Sequence, residues 1–135
     1  MNNKRYSKRK PYKGKFTPND PGKYKGNPRN IIYRSMWERR FMLYCDRCES
    51  IKKWSSESIH IPYISPKDNR THNYYPDFYV EYVDKKGGMR KSIIEIKPFW
   101  QCKWAVNKAK WDAARIWCRG RYEFKVLTEK ELYES

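Results

Sequence analysis

Residues 74–97 of this chain read YYPDFYVEYVDKKGGMRKSIIEIK. Apolar and polar side chains alternate over residues 78–83, and an isoleucine-rich segment follows a short charged stretch that contains two glycines. Alternation of this kind beside a glycine-containing turn is typical of a β-hairpin. We therefore expect one strand over residues 74–83 and a second over residues 90–97.

The turn of this hairpin fixes which side chains face each other. A loop of residues 85–87, with its glycine in the left-handed conformation, places Asp84 opposite Gly88. In the same register Asp77 lies opposite Glu95, with the two Cβ atoms about 5 Å apart. Two carboxylates at this separation repel each other unless a cation binds both. The hairpin therefore predicts an acidic pair that holds a divalent ion.

The residues around this pair suit phosphodiester chemistry. Mg²⁺ prefers oxygen ligands and keeps several waters, so Asp77, Glu95 and the backbone carbonyl of Ile96 form a sufficient protein shell for Mg²⁺ or Mn²⁺. Successive strand residues point to opposite faces, so Lys97 shares the face of Glu95. A bound ion would polarise a scissile phosphate, and Lys97 would orient or deprotonate the attacking water. We expect Asp77, Glu95 and Lys97 to be catalytic.

Simpler roles are open for these side chains. Asp77 can be a turn acid at a strand edge, and Glu95 can pair with Lys97 on a solvated face. A carboxylate between Ile94 and Ile96 is costly to bury without a cation, which favours the metal site.

Two helices are predicted, one on each side of the hairpin. Residues 35–48 carry apolar side chains at helical spacing. Their stripe consists of Trp37, Phe41, Tyr44, Cys45 and Cys48. Residues 102–119 predict a second helix that Gly120 terminates. Its apolar side consists of Trp104, Trp111, Ala114 and Cys118. Helical spacing favours Cys45 and Cys48 as core residues over a zinc-binding pair.

Two more strands and a short helix complete the predicted order. Residues 59–63 alternate and predict a strand ahead of the hairpin, which Pro62 restricts to a sheet edge. Residues 122–127 predict a strand after the second helix, and residues 128–131 carry a capping-box pattern for a terminal helix. The main elements are therefore helix, strand, hairpin, helix and strand.

The motifs Pro76-Asp77 and Glu95-Ile96-Lys97, in this order of elements, resemble the PD-(D/E)XK nuclease superfamily. The resemblance implies an α/β fold: a restriction-endonuclease-like αβββαβ core with a mixed sheet flanked by helices. It also implies that a glutamate on the first helix assists the metal site and catalysis, and Glu38 occupies the matching position. A capping box with Ser35 is the alternative role for Glu38.

Further segments are similar to the head-completion nucleases of large contractile-tailed phages, and more distantly to the transposon endonuclease subunit TnsA. They are residues 33–38, 44–46, 54–57, 61–63, 75–78 and 95–98, and the similarity extends over roughly residues 31–132. It implies a metal-dependent endonuclease that acts on double-stranded DNA during head completion, beside portal, neck or capsid proteins. The alternative is a structural head-neck protein that closes the portal and holds the DNA end with little activity.

Charge indicates a nucleic-acid partner and is unevenly distributed. The formal net charge is +16 with a pI of about 9.8, and DNA is the commonest anionic partner at this strength. Residues 1–30 carry ten Lys or Arg against one acid, with four prolines and three glycines. This composition predicts a basic, flexible and irregular arm over residues 1–30, ahead of a nuclease-like domain over residues 31–135. Phosphate binding is the favoured role of the arm, with capsid docking or simple solubilisation as alternatives.

Phosphate contacts are expected from basic residues outside the hairpin. These are Arg34, Lys103, Lys110, Arg115 and Arg119. Trp100 follows the site directly and is expected to contact DNA. A solvated basic surface is the alternative reading of these cations. The sequence shows no base-reading motif, so sequence-nonspecific or structure-directed cleavage is expected.

Hydropathy bears on the location of the protein, and the expected reaction bears on its assembly. The chain has no apolar stretch of transmembrane length, and its N-terminus lacks the apolar segment of a secretory signal. We expect a cytoplasmic protein without a membrane partner, present in the host during virion assembly, with association with the virion as a further alternative. Breaking both DNA strands at once requires two copies, so a homodimer stays open.

Overall fold

The computed structural model describes residues 13–134. Its elements in chain order are β1 (Gly14–Phe16), β2 (Ile31–Tyr33), α1 (Met36–Arg47), β3 (Ile51–Ser56), β4 (Ile61–Ile64), β5 (Thr71–Tyr74), β6 (Phe78–Val83), β7 (Met89–Ile96), α2 (Ala105–Cys118), β8 (Glu123–Leu127) and α3 (Glu129–Glu134). Short 3-10 helices, Pro21–Lys23 and Phe99–Gln101, precede β2 and α2. None of the helices within the described range is long and apolar enough to cross a membrane.

A mixed four-stranded sheet forms the centre of the molecule. Its strand order is β3, β6, β7 and β8. The first two pairings are antiparallel, and β7 pairs with β8 in parallel. A parallel neighbour requires a crossover, which α2 provides. The succession α1, β3, β6, β7, α2, β8 confirms the predicted αβββαβ core.

The β6–β7 hairpin has the register that its turn predicts. Phe78 pairs with Ile94 and Val83 with Met89, so the line continues to Asp77 opposite Glu95. The Asp84 N–H donates to the Gly88 carbonyl at 2.9 Å. The glycine of the 85–87 loop has φ +86°, the left-handed conformation that the prediction required.

The strand ahead of the hairpin is a correction to the sequence analysis. The predicted strand over residues 59–63 forms, as β4, but it pairs with β5 in a separate two-stranded sheet. The outer strand of the main sheet is instead β3, whose pairing with β6 shifts register near Ile51 and Lys53. The predicted 74–83 strand is divided, because residues 75–77 around Pro76 leave the ladder.

The segment from residue 13 to residue 30 packs against the domain. Phe16 is buried in the main core, and β1 pairs with β2. The backbone N–H groups of Asn19 and Asp20 donate to the buried Asp46 carboxylate at 2.7 and 2.9 Å. The irregular, flexible arm predicted for residues 1–30 is therefore wrong for this part of it. Residues 1–12, with five of the ten basic side chains, lie outside the described range.

The helices bury most of the predicted stripes, with two exceptions. In α1, Phe41 and Cys45 are buried as expected, together with Met42, whereas Tyr44 is exposed. The second helix begins at Ala105 and not at residue 102 as predicted, so Trp104, the other exception, precedes α2 and is exposed. The remaining members of the α2 stripe, Trp111, Ala114 and Cys118, are buried. All four cysteines are free thiols.

Helix ends follow the sequence signals closely. Ser35 caps α1 by accepting the Glu38 N–H at 3.1 Å. Gly120 follows α2 with φ +76°. The Thr128 N–H donates to Glu131 Oε1 at 2.6 Å, which confirms the capping box of α3.

Candidate active site

The acid pair lies at the open end of the β6–β7 hairpin. Asp77 precedes β6 by one residue, and Glu95 belongs to β7. Asp77 Oδ2 accepts the backbone N–H of Ile96 at 2.7 Å, and the Asp77 carbonyl accepts the Glu57 N–H at 3.0 Å. The Asp77 side chain thus continues the hydrogen bonding between the strands beyond the last backbone pair. Because the N–H and C=O of one strand residue point to the same neighbour, the Ile96 carbonyl faces this side as well.

Glu95 is almost completely buried beside Lys97, Tyr74 and Asp77. Its side chain is only 5% exposed, and Oε2 lies 3.3 Å from Lys97 Nζ. Oε1 is buried and makes no hydrogen bond of good geometry among residues 13–134, and the Tyr74 hydroxyl is the polar group close enough to act on this carboxyl. A carboxylate oxygen left in this state is costly unless another group binds it. The alternative of a Glu95–Lys97 pair on a solvated face is therefore wrong, although the pair itself forms.

Both carboxyl groups titrate above their ordinary range. Burial, and then the negative charge of Glu95, raises the pKa of Asp77 well above its usual value, against the opposing Ile96 N–H bond. Burial also raises the pKa of Glu95, while the Lys97 charge opposes the shift. Without a cation the pair favours a bound proton, because two buried negative charges repel each other. A divalent ion in the site would take the place of that proton.

Tyr74 and Lys110 adjoin the Asp77–Glu95 pair, and we call the space around this pair the acid pocket. Neither residue was placed there from the sequence. The Tyr74 hydroxyl is buried without a hydrogen bond of good geometry to any described residue, and burial followed by the Glu95 charge raises its pKa. Lys110 Nζ lies 5.7 Å from the centre of the Tyr74 ring and 5.9 Å from that of Tyr63. Burial, and then the Lys97 charge, lowers the pKa of Lys110, and the Glu95 charge opposes this.

A sequence signal for Lys110 exists in α2. It stands four residues before Ala114 and eight before Cys118, both buried, so it lies on the apolar stripe of the helix. A lysine on such a stripe is costly unless it meets an anion. Tyr74 carried no comparable signal, because a buried tyrosine at a strand end usually belongs to the core.

Glu38 has a capping role and also lies within electrostatic reach of the acid pair. Ser35 Oγ accepts the Glu38 N–H as the capping alternative predicts, whereas Glu38 Oε1 accepts the Arg34 N–H at 2.8 Å, one residue before the N-cap. Burial raises the pKa of Glu38, and the charges of Glu57 and Glu95 add to the shift. Arg34 donates through Nη1 to Glu57 Oε2 at 2.9 Å. Glu57 itself adopts a left-handed backbone with φ +51° directly after β3.

Comparison with known proteins shows the family. Residues 48–129 match the TnsA-like endonuclease N-terminal family. The chain belongs to this family. It is also 31% identical to the head completion nuclease of Enterobacteria phage T4 over 144 aligned residues, which cover 90% of this chain and 93% of that protein. Nuclease activity follows from this membership. The matched residues of the TnsA-like family include Asp77, Glu95, Lys97 and Lys110, whereas Glu38 precedes them.

The predicted DNA contacts of this TnsA-like endonuclease are distributed over α2, the segment before α2, and the residue Arg34 ahead of α1. Lys110 adjoins the acid pair, and Arg34 lies beside Glu38. Arg115 pairs with Asp112 at 3.6 Å in the second half of α2, where its distance along the helix from Ala105 is about 15 Å. Arg119 lies further on, at the helix end. Lys103 and Trp100 are exposed in the segment between β7 and α2.

The donor atoms of this TnsA-like site fit a hard divalent ion. Among residues 13–134 no group of three or more His, Cys, Asp or Glu side chains is arranged to hold a metal. Mg²⁺ needs fewer protein ligands, since one or two carboxylates together with water and phosphate satisfy it. The unpartnered Oε1 of Glu95 and the carboxylate of Asp77 supply such oxygens. An all-oxygen set favours Mg²⁺ or Mn²⁺ over zinc.

Proposed function

We propose that this protein is an Mg²⁺- or Mn²⁺-dependent endonuclease that cuts double-stranded DNA during completion of a phage head. The observation that carries the proposal is the buried Asp77–Glu95 pair, with one unpartnered carboxylate oxygen and Lys97 at 3.3 Å. The T4 relative is named for head completion, and the formal net charge of +16 suits a DNA substrate.

The roles of the residues follow from their positions. Asp77, Glu95 and the Ile96 carbonyl would hold the ion, with Glu38 assisting. The ion would supply positive charge that polarises the scissile phosphate and lowers the proton affinity of water. Lys97 lies on the same side as Glu95 and is placed to orient or deprotonate the attacking water.

Lys110 adds a second cation beside the acid pair. Its ammonium group is half-buried and close enough to Lys97 and Glu95 for their charges to act on it. A cation held in such a pocket stabilises the negative charge that develops on a phosphoryl group more strongly than one in water. We assign Lys110 to the scissile phosphate or to the phosphate next to it.

DNA outside the pocket would be held by phosphate contacts without sequence selection. The proposed phosphate contacts are Arg34, Lys103, Arg115 and Arg119, with Lys110 at the pocket and Trp100 as a further DNA contact. Phosphate contacts position a duplex and do not read its bases. The proposed setting is the host cytoplasm during virion assembly, beside portal, neck or capsid proteins, with two copies acting where both strands are broken.

Cleavage of plasmid DNA tests the proposal. Purified protein is incubated with supercoiled and linear DNA in Mg²⁺, Mn²⁺ or EDTA, beside Asp77→Ala, Lys97→Ala and the control Glu49→Gln, which removes an exposed acid of the turn between α1 and β3. We expect metal-dependent nicking by wild type and control, and losses of at least about 100-fold in the two site variants.

Two outcomes would contradict it. Equal nicking by wild type and Asp77→Ala would identify a contaminating nuclease. No cleavage by wild type with either metal, on any DNA form, would overturn the enzymatic proposal in favour of a structural head-neck role that holds the DNA end.

A further inference from the structure

An exposed aromatic cluster directly follows the catalytic strand. Phe99, Trp100 and Trp104 are 50%, 66% and 45% exposed. The two tryptophan rings meet edge to face, with centroids 5.3 Å apart. Large aromatic side chains usually lie in the core, so three exposed within six residues indicate a surface with a partner. This cluster begins two residues after Lys97.

The backbone that carries these rings is held in place. The Gln101 N–H donates to the Pro98 carbonyl at 2.9 Å, and the Gln101 carbonyl accepts from Nδ2 of the buried Asn107 at 2.9 Å. The Phe99 N–H donates to Glu129 Oε1 at 2.9 Å. The rings are therefore presented to solvent on a fixed turn, which lowers the entropy cost of binding a ligand against them.

Trp104 forms one wall of a cleft of suitable size for a small planar group. The cleft has a volume of about 490 Å³ and is lined by Pro66, Lys67, Trp104, Ala105 and Val106. It lies between the β4–β5 turn and the first turn of α2. Its lining residues include one cation and no acid. Ligand clefts in proteins fall in the same range of volume and are lined mainly by apolar and aromatic groups.

Electrostatic interactions link the cleft to the acid pocket, and the two are a short distance apart along α2. The positive charge of Lys67, at the cleft, acts on Lys110, and Lys110 is in turn influenced by Glu95 and Asp77. Trp104 precedes Lys110 by six residues, a rise of about 9 Å along α2. Lys103 is exposed between the two tryptophans in sequence, whereas Lys97 and Lys110 adjoin the carboxylates. Nucleotides follow each other at about 3.4 Å along one strand of a duplex, so a rise of about 9 Å corresponds to two or three nucleotides.

We propose that the cleft receives an unpaired base of the DNA strand being cut, stacked against Trp104, with the neighbouring Trp100 ring flanking the entrance. Aromatic faces flanked by phosphate-binding cations are the arrangement that holds single-stranded DNA. Bases inside a continuous duplex are stacked and out of reach of such a cleft. The enzyme therefore prefers phosphodiesters beside unpaired nucleotides, as at frayed ends, flaps and single-strand junctions. The inference rests on the proposed endonuclease function and names the substrate class of that site.

Binding without metal tests the stacking directly. In EDTA, full-length protein is titrated into DNA that carries 2-aminopurine either in a single-stranded overhang or within a blunt duplex of the same sequence. We expect the overhang to bind more tightly by roughly 5- to 150-fold, with a change in 2-aminopurine fluorescence. In Trp100→Ala/Trp104→Ala the affinity ratio falls toward one. The control Tyr44→Ala, which removes an exposed aromatic ring of α1, keeps the wild-type ratio.

Cleavage of the same DNA separates this inference from the proposed function. With Mg²⁺ we expect cuts next to the junction, and loss of this positional preference in the double variant. Equal cutting of blunt and junction DNA by wild type, with no effect of the tryptophan substitutions on the ratio, would overturn the inference and leave the nuclease proposal standing. A failure to cut any DNA would overturn the nuclease proposal, while the fluorescence ratio in EDTA still decides the stacking.

Two further results would also count against it. Equal loss of affinity for both DNA forms in the double variant would make the rings a general duplex contact. An unchanged affinity ratio combined with lost binding to a purified head or portal protein would make the cluster a protein-docking surface. Circular dichroism and thermal melting confirm that the variants are folded, as expected for substitutions of exposed side chains.

Discussion

Asp77 uses one carboxylate for two purposes. Oδ2 accepts the Ile96 N–H at 2.7 Å, which is a structural bond between the ends of two strands. The negative charge of the same group faces Glu95, and burial makes this costly, so the pKa is raised. An asparagine retains an oxygen acceptor for the N–H and carries no charge. The two contributions can therefore be separated by a single substitution.

We expect Asp77→Asn to raise thermal stability in EDTA at neutral pH. The folded-state pKa of Asp77 lies above its unfolded value, so the folded protein binds more protons, and its free energy of unfolding falls as pH rises from about 4 through the raised pKa. The variant lacks this loss, and its melting temperature at pH 7.5 should be higher by roughly 2–6 °C. Melting scans between pH 4 and 8 measure it.

We expect Mn²⁺ to reverse the order of the melting temperatures of wild type and Asp77→Asn. Mn²⁺ should raise the melting temperature of wild type, because it binds the folded state alone, and should leave Asp77→Asn nearly unchanged. Glu49→Gln serves as the control for loss of one negative charge. A lower melting temperature of Asp77→Asn in EDTA would show that the charged carboxylate is already stabilised by the protein, for example through Lys97.

At the scale of elements, the sequence predicts what is local. The β6–β7 register follows from one glycine-containing turn, and the starts of α1 and α3 and the end of α2 follow from their caps, whereas the start of α2 has no side-chain cap and lies three residues after the predicted one. The strand β3 was missed because its residues do not alternate and its register shifts at a bulge. Its pairing with β6 depends on contacts about 25 residues apart in sequence, which no short pattern reports. The acid pocket was predicted because the local hairpin brings its two carboxylates together.

The N-terminus of α1 offers a test of whether Glu38 does more than cap the helix. Glu38→Gln keeps an oxygen acceptor for the Arg34 N–H, so stability should change by less than about 0.5 kcal/mol. Loss of the charge should weaken metal binding, and we expect Mn²⁺ affinity measured by calorimetry and the nicking rate to fall by roughly tenfold or more. Ser35→Ala is the matched control, because it removes a cap bond without touching a carboxylate.

A capping role alone predicts a different effect of Glu38→Gln on Mn²⁺ affinity and nicking rate. If Glu38 only caps, Ser35→Ala destabilises by about 1 kcal/mol, whereas Glu38→Gln leaves both Mn²⁺ affinity and nicking at the wild-type level. That result would remove Glu38 from the proposed metal site without affecting the assignment of Asp77 and Glu95.

At the scale of the whole molecule, residues 13–30 belong to the packed domain. Phe16 is buried in the same cluster as Trp54 and Phe41, and the rings of Phe16 and Trp54 meet edge to face. Composition could not show this, since prolines and lysines dominate the segment and a single phenylalanine provides its main anchor. Tertiary contacts therefore override the local preference for an irregular chain.

Phe16→Ala should destabilise the protein by about 3 kcal/mol, because it removes a buried ring and leaves a cavity. Urea unfolding followed by circular dichroism measures this. Ile116→Ala, at a largely exposed position of α2, is the control and should change the free energy of unfolding by less than about 0.5 kcal/mol. Equal effects of the two substitutions would show that residues 13–30 add little to the fold.

The basic residues ahead of this segment can be tested separately. Deletion of residues 1–12 removes Lys4, Arg5, Lys8, Arg9 and Lys10 and leaves Phe16 in place. DNA affinity should fall, and the slope of log affinity against log salt should decrease by up to about 4, because fewer counterions are released. Replacing the same five side chains with Gln in the full chain is the control for length. An unchanged slope would assign the segment to protein contacts.

The position of β1 determines where the basic residues 1–12 join the domain. Gly14 pairs with Tyr33 in antiparallel register, which brings Lys13 alongside Arg34, the neighbour of Glu38 and Glu57. Twelve residues extend at most about 40 Å, a little more than one turn of duplex DNA. Residues 1–12 therefore join the domain close to the acid pocket. If residues 1–12 bind DNA as the deletion test is designed to show, the bound duplex would stay at high local concentration within reach of the carboxylates.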